Sequence, residues 1–300
     1  MTTDQATTSG GRGAIGRRAL GSRAVFLAPG LVYVTLFMAI PLALVISYAF
    51  LTKGRFGGVT LPFTLASFAK ALQPTYLSVL GNSLLIATVT TILALLIGYP
   101  VAYAISLMPA RWRPIALVLI VLPFWTNFLV RTYAWMVLLN TEGPVNKALM
   151  SIGLIDQPIG LLYTRGAVIA GMLYSYLPLM ILPLYASMDR MDHSLLEAAR
   201  NLGASRFRAF RDVTFPLTLP GAMIGAIFVF VPSLGNFVIP ELLGGGKTVM
   251  IGNLIRNQFL KARDWPFGAV LALVMIVFLV GLFALQAYVS RRINGRPNHA

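Results

Sequence analysis

The sequence predicts an all-α integral membrane protein with six transmembrane helices, and three observations carry that reading. Hydrophobic residues make up 57% of the 300 positions and charged residues 11%, with a mean hydropathy of +0.78. A soluble chain of this length needs a more polar surface. Six apolar runs, near residues 25–51, 77–107, 115–139, 167–188, 217–239 and 267–289, each reach the roughly 20 residues that a bilayer requires. Within them lies a single ionised side chain, Arg131.

Composition also excludes function classes. The net charge of +15 invites a nucleic-acid partner, but the arginines are scattered between hydrophobic runs instead of forming one stripe, so nucleic acid is set aside. With no cysteine there is no disulfide, thiolate metal site or cysteine nucleophile. The two histidines, His193 and His299, have no second ligand nearby in sequence, so neither a metal nor another cofactor is expected. No Asp, Glu or His falls inside a span, which leaves a proton relay without carriers. Neither a Ser-His-Asp set nor paired carboxylates occur, so the chain does not read as an enzyme.

In chain order, residues 1–24 form a polar, basic tail without apolar periodicity and are expected to be disordered. Arg17-Arg18 before the first run resembles a twin-arginine signal, yet the run is too long for a cleavable one and further spans follow. The six-span domain covers 25–290, and a short tail covers 291–300. With an even number of spans both termini share a side. Placing them inside gives the inner segments fourteen Lys and Arg against nine for the outer loops, which favours cytoplasmic termini. The first outer loop (52–76) and the second (140–166) are expected to hold short surface helices. In the third, Ile251, Leu254, Ile255 and Phe259 recur at helical spacing. Gly244-Gly-Gly-Lys-Thr248 resembles part of a phosphate-binding loop but has Glu241 where that pattern needs glycine.

Inside the spans, Phe124, Asn127, Arg131 and Trp135 recur at helical spacing and predict one polar and aromatic stripe on the third. Arg131 has two readings: it faces the bundle interior, water or a carboxylate, or it snorkels to the interface. Tyr174, Ser175 and Tyr176 precede Pro178, while Ser233 and Asn236 lie between Pro232 and Pro240. Prolines there read either as plain kinks or as the broken helices that transporters place at substrate sites. Gly221 and Gly225 form a small-xxx-small pair suited to close packing.

The most patterned stretch runs from Asp189 to Gly221. Ser194-Leu-Leu-Glu197 has capping-box spacing, Leu195, Leu196, Ala199 and Leu202 mark one helix face, and Gly203 is placed to close it. Ser205 then caps a second helix carrying Phe207, Phe210 and Val213. Arg200, Arg206, Arg208 and Arg211 lie on the opposite face. By pattern alone this is an interfacial helix on anionic lipid.

The string EAARNLGASRFRAFRDVTFP resembles the EAA loop of bacterial ABC importer permeases, with Glu197, Ala198, Ala199, Gly203, Val213, Phe215 and Pro216 at the motif positions. Val213 and Phe215 stand where the motif usually has Ile and Leu. With six spans around it, the chain resembles the MetI-like permease subunits of type I importers, and Leu122–Leu139, Met250–Val270 and ELLGGG at 241–246 are similar to the spermidine/putrescine branch. The resemblance implies a permease in a bacterial inner membrane, without an ATPase site of its own. Its partners would be a second permease, two cytoplasmic ATPase subunits and an extracytoplasmic solute-binding protein. On that footing Trp125, Asn127, Arg131, Tyr174, Tyr176, Asn236 and Glu241 are the pathway candidates. A polyamine is cationic, so Arg131 would need neutralising by Glu241 or by a partner's carboxylate. An anionic solute and an ion-gradient carrier remain the alternatives.

Overall fold

The computed structural model describes residues 28–30, 32–192 and 194–294. The predicted tail 1–24 lies outside them. A backbone without water can satisfy its polar groups only internally, so the apolar runs become helices. α1 (Ala28–Ala49) is exposed along most of its length and is buried only in its last turn, where Ala49 meets Ala269 and Val270. The first outer loop holds the expected short helix but also a hairpin that was not expected. It forms an antiparallel hairpin, β1 (Leu51–Lys53) and β2 (Val59–Phe63), followed by the short helix α2 (Ala66–Ala71). The β-branched Thr52, Val59 and Thr60 suit strands, and Gly57 and Gly58 supply the positive-φ turn, at +94° and +77°.

α3 (Pro74–Ser106) is the longest helix. The third predicted span is not one straight rod. α4 (Arg113–Val121) tightens into a 3₁₀ turn at Leu122–Trp125, and the chain then bends by 90° into α5 (Phe128–Leu139) and α6 (Pro144–Ser151). Pro123 lies in the turn, and the Asn127 side chain accepts from the Leu129 amide at 2.8 Å, starting a new helix where the periodicity predicted continuity. α7 (Arg165–Asp189) leads to α8 (Ser194–Asn201). α9 (Arg206–Gly235) is continuous through a π turn at Phe210–Thr214, and α10 (Val238–Gly244), α11 (Ile251–Leu260) and α12 (Trp265–Asn294) complete the chain. Five helices are thus long and apolar enough to span, or six with the bent pair.

The core is the α3–α7–α9 triple. Ser83, Ala87, Thr90, Ala94, Gly98 and Ala102 form a buried small-residue stripe along α3. Such residues let helices approach closely where lipid supplies no hydrophobic drive. Ala94, Ala102 and Ile105 then meet Met180, Ile181, Leu184 and Met188 of α7 and Ala222 and Val229 of α9. The Gly221/Gly225 pair packs against α7: a methyl at Gly221 would sit 2.6 Å from the Pro183 carbonyl, and one at Gly225 2.8 Å from the Met180 sulfur. Met180 also fills the space beside Gly98, where an added methyl would lie 2.9 Å from Cγ.

Two polar ties fix the ends of the bundle. Arg113 pairs with Asp189 at 3.0 Å at the end carrying α8, and Lys70 pairs with Asp264 at 2.9 Å at the other. Gly225→Val is expected to force Met180 out of place at a cost of about 1–3 kcal/mol, as overpacked cores do. The check is a lower thermal midpoint of the detergent-purified protein, against a milder loss for Gly225→Ala.

Candidate functional site

Two of the pathway candidates, Tyr176 and Asn236, meet where a helix breaks. α9 stops at Gly235, Asn236 takes an extended ψ of 133°, and α10 restarts after Phe237. The prolines are not the breakpoints: Pro178 and Pro183 lie inside continuous α7, and Pro220 and Pro232 inside α9. Asn236 satisfies the backbone freed there. Its Oδ1 accepts from the Ile239 amide at 2.9 Å, and its Nδ2 donates to the Tyr176 hydroxyl at 2.6 Å. Asn253 donates to the Phe237 carbonyl at 2.7 Å, tying the break to α11. Phe128, Tyr176, Pro232, Gly235, Asn236, Phe237 and Val238 line an open cavity of about 360 Å³.

Arg131 sits on α5 with its guanidinium carbon 5.4 Å from the Phe124 ring centroid and 5.9 Å from that of Phe128, a cavity wall. Nε and Nη1 are buried with no hydrogen-bond partner among the described residues. Cation–π contact returns about 0.5–2 kcal/mol, less than a guanidinium loses on leaving water. Glu241 does not neutralise it, since that carboxylate pairs with Arg256, itself stacked 5.1 Å over Phe237. The expected stripe is also divided. Asn127 serves as a helix cap, Trp125 is 78% exposed in the 3₁₀ turn, and Trp135 packs edge-on against Tyr174 at 5.7 Å. Among the pathway candidates, Tyr176 and Asn236 line the cavity, Arg131 is linked to it through Phe128, and Trp125, Asn127, Tyr174 and Glu241 are not among its lining residues.

At the opposite end of the bundle, α8 and the start of α9 form the two-helix turn read from Asp189–Gly221. Gly203 has φ +83°, the Ala204 amide donates to the Ala199 carbonyl at 3.0 Å, and the Gly203 amide donates to Arg200 at 2.9 Å, a Schellman closure. Ser205 caps α9 through the Arg208 amide at 3.3 Å. At the start of α8 the Ser194 amide donates to the Asp192 carboxylate at 2.9 Å, so an upstream acid takes a capping part that the S-x-x-E spacing gave to Ser194 and Glu197. Phe210 anchors the loop to α3, its ring 5.6 Å from Tyr99 and 6.3 Å from Tyr103. Glu197 and Ala198 are exposed, Ala199 and Val213 half-buried, and Phe215 and Pro216 exposed where α9 leaves the π turn. Leu202 is 89% exposed beside Gly203, so the apolar face of α8 is only partly covered.

Residues 94–295 match the family model described as the binding-protein-dependent transport system inner membrane component. The chain belongs to this family. Among curated members, it is 40% identical over 262 residues to the spermidine/putrescine transport system permease protein PotB of Salmonella typhimurium, covering 87% of this chain and 91% of that protein. It is 42% identical over 258 residues to the PotB of Haemophilus influenzae, covering 86% and 89%. Among solved structures, a bacterial ABC transporter involved in the import of the acidic polysaccharide alginate superposes with a TM-score of 0.75 at 18% identity, over 92% of this chain and 97% of that one. The chain therefore has the fold of ABC importer permeases and is an inner-membrane component.

Within this family chain, sequence reasoning missed Asn253 and Phe128 around the break and the latch built by the glycine run. A methyl at Gly245 (φ +56°) would strike the Tyr163 ring, and the Tyr163 amide donates to the Leu243 carbonyl at 2.9 Å. Gly244-Gly-Gly therefore seats an aromatic ring. Asn236→Ala is expected to leave the Ile239 amide unpaired and cost about 1–3 kcal/mol, as buried donors do. Tyr176→Phe removes the acceptor of the Asn236 Nδ2 group and a long 3.5 Å donation to the Pro232 carbonyl, and is expected to cost less because no buried backbone amide is left unpaired; thermal unfolding of both variants measures the difference.

Proposed function

We propose that this chain is a permease subunit of an ATP-driven importer for polyamines such as spermidine and putrescine, coupled to a cytoplasmic ATPase through the loop at Glu197–Pro216. The curated relatives at 40–42% identity carry that substrate class in their names and cover most of this chain, which is the observation that supports the reading most strongly. On this reading the termini and α8 face the cytoplasm. The assembly holds a second permease, two ATPase copies and a binding protein outside.

The loop suits a coupling role physically. α8 is closed by a Schellman turn, and the exposed Glu197, Ala198, Leu202 and Gly203 face outward. The Ser205 cap joins it to α9, the helix that runs unbroken to Asn236 beside the cavity. Nucleotide-driven closure of the ATPases would bias this bundle between two packings through contacts made at α8. Tyr176 offers an aromatic face that holds an ammonium group by cation–π contact, whereas Phe128 and Phe237 already carry Arg131 and Arg256.

A second reading keeps the machine and takes an anionic solute, because Arg131 has two buried nitrogens with no partner among the described residues. A thermal-shift screen of the cognate binding protein separates the two: stabilisation by spermidine or putrescine supports the first, and stabilisation by anions alone replaces it with the second. Gly203→Leu places a side chain at φ +83°, where open space surrounds the position, so the fold is expected to survive with modest strain. Uptake in membrane vesicles is expected to fall at least about tenfold, which is 1.4 kcal/mol of lost coupling. Wild-type uptake by that variant sinks the coupling role.

A further inference from the structure

A second cavity, of about 460 Å³, opens beside the coupling loop, between α8, the first turns of α9 and the end of α3. Tyr103, Leu107, Leu196, Phe207 and Phe210 give it apolar and aromatic walls, and Arg200 and Arg206 bring two guanidinium groups to it. Neither arginine forms an ion pair among the described residues, although the nearby Arg211 takes Asp212 at 2.7 Å and Arg113 takes Asp189. Thr214 also lines the cavity. It is fully buried, and its hydroxyl has no hydrogen-bond partner among the described residues. Two unpaired cations and an orphaned hydroxyl around one space describe a site for an anion that accepts several hydrogen bonds. A carboxylate has two oxygens to offer. A phosphate group has more, and its geometry suits two-pronged arginine contact.

We propose that this cavity binds a phosphate-bearing anion, held by Arg200 and Arg206 with the Thr214 hydroxyl donating to one oxygen. The position suits two sources of that group. Leu107 and Phe207 are 60% and 72% exposed at its mouth, where lipid acyl chains would lie if the phosphate belongs to a phospholipid headgroup. A free phosphate would need only the polar groups. Because α8 and α9 both contribute walls, occupancy would hold the two limbs of the coupling loop at a fixed separation. This assignment rests on the cavity alone and stands whether or not the transported solute is a polyamine.

The test uses the full chain purified with whatever subunits accompany it. Two probes are compared: phosphatidylglycerol, scored against phosphatidylcholine by native mass spectrometry, and inorganic phosphate, scored by thermal shift. The wild-type protein is expected to retain phosphatidylglycerol, and the double variant Arg200→Gln with Arg206→Gln to retain it about tenfold less, as loss of charge-assisted hydrogen bonds predicts. Thr214→Val, nearly isosteric, is expected to weaken retention a few-fold with an unchanged melting point in the absence of ligand. The conservative Arg200→Lys with Arg206→Lys pair keeps the charge and is expected to restore most of the binding, which separates loss of the site from loss of the fold. Competition of phosphatidylglycerol by inorganic phosphate supports the site with a free phosphate sufficing. Retention without such competition supports it with a lipid headgroup as the ligand. Equal retention by wild-type protein and the double glutamine variant, or failure of both probes to bind, overturns the proposal.

Discussion

Met180 is the contact on which the bundle turns. It is fully buried in the middle of α7, with glycine on both flanks, Gly98 of α3 on one side and Gly225 of α9 on the other. In lipid, helices gain little from hiding apolar surface, because the surroundings are as apolar as the interior; association depends on how closely backbones approach and how well the contacts fit. An unbranched, polarisable side chain between two residues without Cβ atoms gives both. Around it the small-residue stripe of α3 and the Gly221/Gly225 pair of α9 keep three helices within van der Waals reach. The remaining elements attach to this triple: α12 carries α1, the hairpin and α11, while α10 closes against α7.

Much of the architecture was legible in the sequence, for one reason. Hydrophobic length is an additive signal that a bilayer reads directly, so five of six spans came out as single long helices, four near their expected bounds and the fifth beginning at Arg206, well before the expected 217. The third did not, because Pro123 and the cap-forming Asn127 act locally and hydropathy averages over them. The first outer loop misled in part, for a related reason. Its scattered apolar residues fitted a surface helix, whereas Gly57, Gly58 and the β-branched residues around them supported a hairpin. The small-residue stripe on α3 was equally present in the sequence, but a stripe of Ser, Ala, Thr and Gly leaves hydropathy almost unchanged and is conspicuous only once a partner helix is known.

The site residues divide along the same line. The loop at Glu197–Pro216 was found by a spaced motif, and its glycine turn has the closure that the spacing required. The pathway group was harder. Tyr176 and Asn236 meet across sixty residues of sequence, which no periodicity encodes, and the partner of Glu241 proved to be Arg256 on another helix. Proline was a poor guide to where the helices stop. Neighbouring helices tolerate Pro178, Pro183, Pro220 and Pro232 inside intact rods, and the true break falls at an asparagine able to satisfy the exposed backbone.

The continuity of α9 has a mechanical meaning. Its 30 residues span about 45 Å at the usual rise per residue, from the Ser205 cap at one end to Asn236 at the other. Pivoting about its glycine-lined middle, a rod of that length tilted by about 5° carries each tip through roughly 2 Å, in opposite directions. A shift of that size exceeds what the 2.6 Å bond between Asn236 and Tyr176 can follow without breaking. In a helix of this length, a small tilt at one end is therefore large enough to break a single hydrogen bond at the other.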